Sequence, residues 1–202
     1  MTDARPWVPE SPTLESLAKA ADACHGCELW EPATQAVFGA GPPHATIILV
    51  GEQPGDREDK EGEPFVGPAG RILDDALGDL GLDRETVYVT NAVKHFRFDP
   101  RGKRRIHRKP DVSHMVACAP WLEEEIALVD PEVVVCLGAT AGRAVLGRPV
   151  KIGEERGRLQ PYGDRQALVT THPSAVVRLR GRDGFAPAYE AFVADLRVAA
   201  AT

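Results

Sequence analysis

Several features typical of membrane, secreted and nucleic-acid-binding proteins are missing from this sequence. No apolar stretch approaches the ~20 residues that cross a lipid bilayer, and the N-terminus lacks the basic and apolar regions of a signal peptide. We therefore expect a cytoplasmic protein without a membrane partner. The net charge of −6 also argues against nucleic acid as a partner, unless the basic residues are clustered.

Cysteine is scarce, since the 202 residues include only Cys24, Cys27, Cys118 and Cys136. Structural disulfides are rare in a reducing cytosol, so we do not expect a fold held by disulfides. The Cys24-x-x-Cys27 pair is more typical of metal binding or redox work. Cys136 lies inside an apolar run, where a buried thiol behaves as a small hydrophobic side chain.

Apolar runs alternate with helical patterns along the chain. We expect buried strands at residues 45–50, 86–93, 133–137 and 167–171. We expect helices at residues 13–23, 68–80, 111–128, 139–146 and 185–200. This alternation predicts an α/β fold, a three-layer α/β/α sandwich around a central, mostly parallel four-stranded sheet. The length fits one domain, residues 1–202, with a loose lead-in over residues 1–12.

Polar and glycine-rich segments follow the ends of the predicted strands. They are residues 51–55, 91–95, 138 and 172–174. In parallel α/β sheets, ligands bind beyond the carboxyl ends of the strands. The sequence therefore predicts a binding or catalytic site at this edge, although turns, an Asn cap and a structural His are common alternatives for the individual residues.

Residues 51–70 begin with Gly-Glu-Gln-Pro-Gly and end with Pro-Phe-Val-Gly-Pro-Ala-Gly, which resembles the signature loop of family 4 uracil-DNA glycosylases. Thr90-Asn-Ala-Val-Lys94 and His172-Pro-Ser174 are similar to two further motifs of that family. The resemblance implies an enzyme that takes a uracil nucleotide into a pocket and cleaves its glycosidic bond. The expected partner is uracil-containing DNA, preferably single-stranded, bound by a nucleoid-associated monomer.

The resemblance also assigns roles to single residues of these motifs. Phe65 would stack on the base, and the Asn91 side chain would pair with the base edge. His172 would donate a hydrogen bond to uracil O2 and so stabilise the departing anion. The backbone N–H of Gln53 would assist in holding the base, and Ser174 would hold a DNA phosphate.

Three of the cysteines resemble the iron–sulfur ligands of the same family. Family 4 members hold a [4Fe–4S] cluster with four cysteines, and Cys24, Cys27 and Cys118 match three of them. The family's Val-Lys-Cys reads Val-Lys-His95 in this sequence, so His95 stands at the fourth position. The resemblance therefore implies a [4Fe–4S] cluster on these four residues. A zinc ion held by three Cys and one His is the inorganic alternative.

A strongly basic segment extends over residues 94–109, and we expect irregular structure at residues 96–110. The segment has eight Lys or Arg residues against one Asp. Such a run is usually a solvated surface, but beside a DNA site it would contact phosphates. Within it, Lys103-Arg-Arg-Ile-His107 resembles the insertion that marks the UdgX branch of the family, and Gln53 and His95 also match that branch.

The UdgX resemblance implies a covalent end to the reaction. His107 would bond to the sugar carbon C1′ after uracil departs, while Glu52 would stabilise the cationic sugar and orient or deprotonate His107. Arg105 would pin the loop through Asp56 or bind a phosphate. The alternatives are a conventional turnover family 4 enzyme, a non-catalytic iron–sulfur protein that binds uracil-DNA, and a nucleotide-binding module. The glycine loop lacks the Lys-Ser/Thr ending of a Walker motif, which counts against the last.

Overall fold

A mostly parallel sheet lies at the centre of the fold. The computed structural model describes residues 3–202, and residues 1 and 2 of the predicted lead-in lie outside the described residues. The strands in chain order are β1 (Ile47–Gly51), β2 (Tyr88–Asn91), β3 (Phe98–Arg101), β4 (Arg104–His107), β5 (Val133–Leu137), β6 (Leu159–Tyr162) and β7 (Arg165–Thr170). The central sheet has the order β2-β1-β5-β7-β6, while β3 and β4 form a separate two-stranded sheet.

The central sheet has five strands, where the sequence predicts four. Strands β1, β2, β5 and β7 are the predicted ones, and they pair in parallel. Strand β6 is added antiparallel to β7 at the sheet edge. No apolar run marks β6, because its side chains are half-buried or exposed and include Pro161. Its sequence signal is the two-residue Gly163-Asp164 connection to β7, which is typical of a β-hairpin.

Helices cover both faces of the sheet, which confirms the predicted α/β sandwich. They are α1 (Leu14–Ala21), α2 (Asp56–Glu61), α3 (Pro68–Asp79), α4 (Val112–Val129), α5 (Ala139–Leu146), α6 (Ile152–Glu155), α7 (Pro173–Val177) and α8 (Phe185–Ala200). Helices α1, α3, α4, α5 and α8 correspond to the predicted helices, whereas the short α2, α6 and α7 were not predicted. Among residues 3–202, no helix is long and apolar enough to span a membrane.

The core is divided into two layers by the sheet. Leu49 of β1 packs in one layer with Ile72 of α3 and Leu196 of α8. The neighbouring Ile48 packs in the other layer with Leu122 of α4. Because successive strand side chains point to opposite faces, a strand covered on both sides reads as a continuous apolar run. This is why the parallel strands are recognisable in the sequence.

The N-terminal segment is packed, and the prediction of a loose lead-in is wrong for residues 3–8. Ala4 has no exposed surface, and its N–H donates to the carbonyl of Ala117 in α4 at 2.9 Å. A short 3₁₀ helix follows at Arg5–Trp7. Ala4 belongs to a third apolar cluster, which also contains Leu17 and Trp121. The small alanine side chain gives no hydrophobic signal, so its burial could not be read from composition.

The basic segment forms a β-hairpin (residues 98–107, the β3–β4 hairpin), where irregular structure was predicted. Phe98 pairs with His107, and Asp99 pairs with Ile106. Gly102 has a φ of +58° at the turn, a conformation that glycine adopts at little cost. The strands were missed because they are short and mostly exposed, with charges and Pro100 in place of alternating apolar residues.

Candidate active site

A cavity of about 760 Å³ lies beyond the carboxyl ends of the parallel strands, where the sequence predicts a site. Glu52 follows β1, Asn91 ends β2, and His172 follows β7. Eight of the nine residues predicted for catalysis or substrate binding line it, namely Glu52, Gln53, Asp56, Phe65, Asn91, His107, His172 and Ser174. The ninth, Arg105, lies outside the lining and contacts Asp56 instead.

The Glu52 carboxylate lies between the hairpin and helix α5. Its Oε1 is 3.5 Å from His107 Nε2. Its Oε2 accepts a hydrogen bond from the hydroxyl of Thr140. The side chain is 20% exposed and that of His107 is 50% exposed, so both are accessible from the cavity. Sequence reasoning missed Thr140, although its position two residues after Gly138, which follows the buried strand β5, is a signal for a residue at this edge.

The Gln53 side chain holds the base of the β3–β4 hairpin. Its Nε2 donates to the carbonyls of Arg97 and Arg108, each at 3.1 Å, and its Oε1 accepts from the N–H of Arg97 at 3.1 Å. Gln53 itself is buried. The predicted role of Gln53 used only its backbone N–H, while the structure gives the side chain a contact that places the hairpin carrying His107.

Arg105 fixes the hairpin to helix α2. Its guanidinium donates to Asp56 Oδ1 at 2.5 Å and to Asp59 Oδ2 at 2.6 Å, and its Nη1 donates to the Thr34 hydroxyl at 3.1 Å. Hydrogen bonds from Lys60 and Arg105 hold the pKa of Asp56 below its usual value. The expected contact between Arg105 and Asp56 is present, and these carboxylates occupy the guanidinium in place of a phosphate.

Phe65 and Asn91 form a crowded wall at the end of β1. Phe65 is buried with a φ of +59°, a backbone conformation that is uncommon for any residue except glycine. A Cβ on Gly70 would lie 1.6 Å from the Phe65 carbonyl oxygen, and a Cβ on Gly51 would lie 2.3 Å from Asn91 Oδ1. Gly51 therefore lets the Asn91 amide and the Phe65 ring approach the end of β1, and Gly70 leaves room for the Phe65 backbone.

Among residues 3–202, only the Nδ1 nitrogen of the His172 ring takes part in a hydrogen bond. Its Nδ1 accepts the N–H of Ser174 at 3.1 Å and lies 2.8 Å from the Ser174 hydroxyl. Burial, with smaller contributions from His107 and Arg178, lowers the pKa of His172 to about 4. A neutral ring that accepts at Nδ1 carries its proton on Nε2, so His172 presents an N–H donor. Gly138 permits this position, because a Cβ there would lie 3.0 Å from His172 Cβ.

Cys24, Cys27 and Cys118 lie in one region, at the third apolar cluster. Burial is the main cause that raises the pKa of Cys118 to about 12, and the neighbouring Cys27 and Cys24 thiols contribute in the same direction. The N–H of Lys94 donates to Cys118 Sγ at 3.2 Å, and the Trp121 indole N–H donates to Cys24 Sγ at 3.4 Å. Such N–H donors to sulfur suit metal-bound thiolates, whose properties depend on these hydrogen bonds.

His95 is buried and directly follows Lys94, whose N–H binds Cys118, and its ring is neutral at neutral pH. Burial lowers the pKa of His95 to about 4, which leaves the imidazole in the form that metals bind. Among residues 3–202, His95 makes no hydrogen bond to a cysteine, and no three His, Cys, Asp or Glu side chains are spaced as a metal site. The donor set of soft thiolates fits an iron–sulfur cluster or zinc, and His95 as the fourth ligand stays a prediction.

Lys94 is fully buried, so the prediction that the basic run faces DNA is wrong at this residue. Its Nζ pairs with Glu125 and donates to the Thr90 hydroxyl at 2.7 Å and to the Asn91 carbonyl at 2.8 Å. Glu125 also accepts from the Tyr88 hydroxyl at 3.0 Å. This buried ion pair connects α4 to the end of β2, where Asn91 lines the cavity.

Comparisons with known proteins agree with this fold. Residues 38–197 match the family model described as the uracil DNA glycosylase superfamily. A type-4 uracil-DNA glycosylase of Thermotoga maritima is 36% identical over 172 residues, which cover 84% of this chain and 86% of that protein. A type-4 uracil-DNA glycosylase of Sulfurisphaera tokodaii is 35% identical over 177 residues, covering 82% and 76% of the two chains.

A more distant relative has a different type number. A type-5 uracil-DNA glycosylase of Thermus thermophilus is 34% identical over 125 residues, which cover 54% of this chain and 53% of that protein. The family match covers most of the sheet and the cavity residues, and the type-4 relatives extend over four-fifths of the chain. The chain therefore belongs to the uracil-DNA glycosylase superfamily.

Proposed function

We propose that this protein excises uracil from DNA and then keeps the DNA through a covalent bond between His107 and the sugar carbon C1′. The observation that carries the covalent step is the position of His107 Nε2, 3.5 Å from Glu52 Oε1 at the cavity. The excision step is supported by the superfamily match and by the similarity to type-4 uracil-DNA glycosylases. The substrate is uracil-containing DNA, with single strands preferred.

In the excision step, the cavity holds a uracil that has left the base stack. Phe65 stacks on the base, the Asn91 amide pairs with its edge, and the Gln53 backbone N–H assists. The neutral His172 donates its Nε2–H to uracil O2 as the C1′–N1 bond breaks and its electron pair moves onto the base. Glu52 stabilises the positive charge that develops on the sugar.

In the covalent step, the neutral form of His107 takes the place of water. A ring nitrogen donates its lone pair to C1′, and the proton on the other ring nitrogen is lost to solvent. In the new C–N bond, the imidazole is a poorer leaving group than uracil, which departs with the help of hydrogen bonds. The bond is therefore stable, and the reaction stops after one turnover. Ser174 and the exposed basic side chains of the hairpin hold DNA phosphates, which places the sugar below His107.

We further propose that Cys24, Cys27, Cys118 and His95 hold a [4Fe–4S] cluster. When bound, this cluster supplies a structural cross-link and no step of the excision. The N–H donors of Lys94 and Trp121 would support the thiolates, and Lys94 also contacts Asn91 through its side chain. The proposed unit is a single-domain monomer over residues 1–202, associated with the nucleoid.

A second candidate function is a conventional turnover glycosylase. It is favoured by the similarity to the type-4 relatives and by the partial exposure of Glu52, which could place a water molecule at C1′. In that case His107 is a polar residue at the cavity mouth and DNA is released after each excision. A non-catalytic uracil-binding protein would retain DNA but release no uracil.

A denaturing gel separates these functions. The protein is mixed with a uracil-containing single-stranded oligonucleotide, and both shifted bands and free uracil are measured. A band that resists SDS and heat, with one uracil released per protein, supports the covalent function. Many uracils per protein without such a band would contradict it. His107→Ser should abolish the band and permit turnover, while His44→Ser, at an exposed histidine outside the cavity lining, should behave as the wild type.

A further inference from the structure

Thr140 touches the reacting carboxylate without being part of any motif recognised in the sequence. It is the second residue of helix α5, it is 4% exposed, and it lines the cavity. Its hydroxyl donates to Oε2 of Glu52. Among residues 3–202, no other side chain donates a hydrogen bond to the Glu52 carboxylate.

The two oxygens of Glu52 therefore have different neighbours. Oε2 is bound to Thr140, and Oε1 is turned towards His107 at 3.5 Å. The terminal torsion of a glutamate side chain has broad, weakly separated minima, so the carboxylate does not choose this orientation by itself. The hydroxyl of Thr140 supplies the missing constraint.

Thr140 is itself held by rigid parts of the fold. Gly138, directly before α5, has its N–H bound to the Thr170 carbonyl of β7 at 2.9 Å. The Gly138 carbonyl accepts the N–H of Gly142 at 3.0 Å, which begins the helix. The hydroxyl thus projects from the junction of β5, β7 and α5. It is suited to fix the side chain of Glu52, which follows β1.

We propose that Thr140 is a positioning residue, whose hydroxyl fixes the Glu52 carboxylate so that Oε1 faces the sugar and His107. The inference rests on the proposed function for its chemical consequence. Without the hydroxyl, the carboxylate turns and stabilises the cationic sugar less well. It also becomes free to hold a water molecule, so a larger share of sugars reacts with water than with His107.

The test compares Thr140→Val, which keeps the side-chain volume and removes the hydroxyl, with Thr140→Ser, which keeps the hydroxyl. Thr46→Val is the control, since Thr46 is exposed at the opposite end of β1. Single-turnover uracil release is measured over a range of protein concentrations, together with the fraction of product that remains attached to protein. Thermal unfolding of each variant accompanies the kinetics.

Loss of a hydrogen bond to a charged group should lower the maximal release rate of Thr140→Val by about 10- to 100-fold. The half-saturating protein concentration should change little, because the base and phosphate contacts remain. Thr140→Ser should stay within about threefold of the wild type. The attached fraction should fall in the valine variant alone. Equal losses in both variants, or an unchanged attached fraction and rate in Thr140→Val, would overturn the proposal.

Failure of the proposed function is distinguishable from failure of this inference. If the wild type turns over without an adduct, the release rates of the valine and serine variants still decide the role of Thr140. If the wild type releases no uracil, crystal structures of the wild type and Thr140→Val decide it. A Glu52 carboxylate in the same orientation in both structures overturns the inference, and a rotated carboxylate in the valine variant supports it.

Discussion

His107 Nε2 lies 3.5 Å from Glu52 Oε1, although the two residues come from different parts of the fold. Glu52 follows strand β1 of the central sheet, which is buried on both faces. His107 ends the second strand of a hairpin that is mostly exposed. The carboxylate therefore belongs to the rigid sheet edge, and the imidazole depends on how the hairpin is held. Variants that loosen the hairpin should affect the His107 step more than the excision step.

Arg105→Ala should separate these two steps. Removing the ion pairs with Asp56 and Asp59 frees the hairpin, so adduct formation should slow by about tenfold or more. Uracil release should stay within about threefold of the wild type, because the base contacts lie on the sheet edge. Arg148→Ala is the matched control, since it removes an arginine ion pair with Glu155 outside the cavity lining. The rate of adduct formation is measured on denaturing gels of samples quenched over time. Equal rates in Arg105→Ala and the wild type would contradict the role of Arg105 in holding the hairpin.

His172 should not titrate near neutral pH. Its pKa is lowered from 6.5 to about 4 by burial, so the folded protein keeps the ring neutral while the unfolded chain takes up a proton. Folding stability should therefore fall as the pH drops from 6.5 towards 4. NMR titration of the imidazole signals, assigned with His172→Gln, measures this directly. A midpoint near pH 6.5 would show that the ring is not a neutral donor held by burial.

Lys94→Met should destabilise the protein strongly. It leaves the Glu125 carboxylate buried without its cation, which costs about 3–5 kcal/mol. Adding Glu125→Gln removes that charge and keeps partners for Tyr88 and Thr90, so the double variant should regain part of the loss. Lys151→Met, which removes an exposed pair with Glu154, should cost less than about 1 kcal/mol. Urea unfolding measures the free energy of unfolding of all three variants. Equal losses of stability in Lys94→Met and Lys151→Met would refute the stabilising role of the buried ion pair.

Two buried cysteines provide a matched test of the cluster. Burial raises the pKa of both the Cys118 and the Cys136 thiols to about 12, but only Cys118 lies beside Cys24 and Cys27. Cys118→Ser should remove bound iron and the visible absorbance of an iron–sulfur cluster, while Cys136→Ser should keep both. Metal analysis of the purified protein measures the outcome. Zinc in place of iron would support the alternative centre, and equal iron content in both variants would contradict the assignment.

The parallel part of the fold was predictable because burial on both faces leaves an apolar run in the sequence. The runs containing Leu49, Val89, Val135 and Leu168 mark the four parallel strands. Strand β6 and the β3–β4 hairpin leave no such run, since their side chains are half-buried or exposed and their pairing depends on turns at Gly163 and Gly102. Composition and periodicity therefore give the core of the sheet and miss its additions.

The cavity residues were predictable in identity but not in their mutual contacts. Strand ends placed Glu52, Asn91 and His172 at one edge of the sheet, as found. The hydrogen bond from Thr140 to Glu52 and the ion pair of Lys94 with Glu125 join residues that are far apart in sequence. No local pattern reports such contacts, because they depend on how helices α4 and α5 pack on the sheet.

The hairpin closes at its own base. The N–H of Arg108 donates to the carbonyl of Arg97 at 3.0 Å. The Gln53 amide donates to the carbonyls of both Arg97 and Arg108. The chain thus enters and leaves the hairpin at nearly one point, so a short turn could replace it without moving β2 or α4. Under the proposed function, the fate of the bound DNA is encoded in a detachable cassette that is separate from the residues at the sheet edge that would recognise the base.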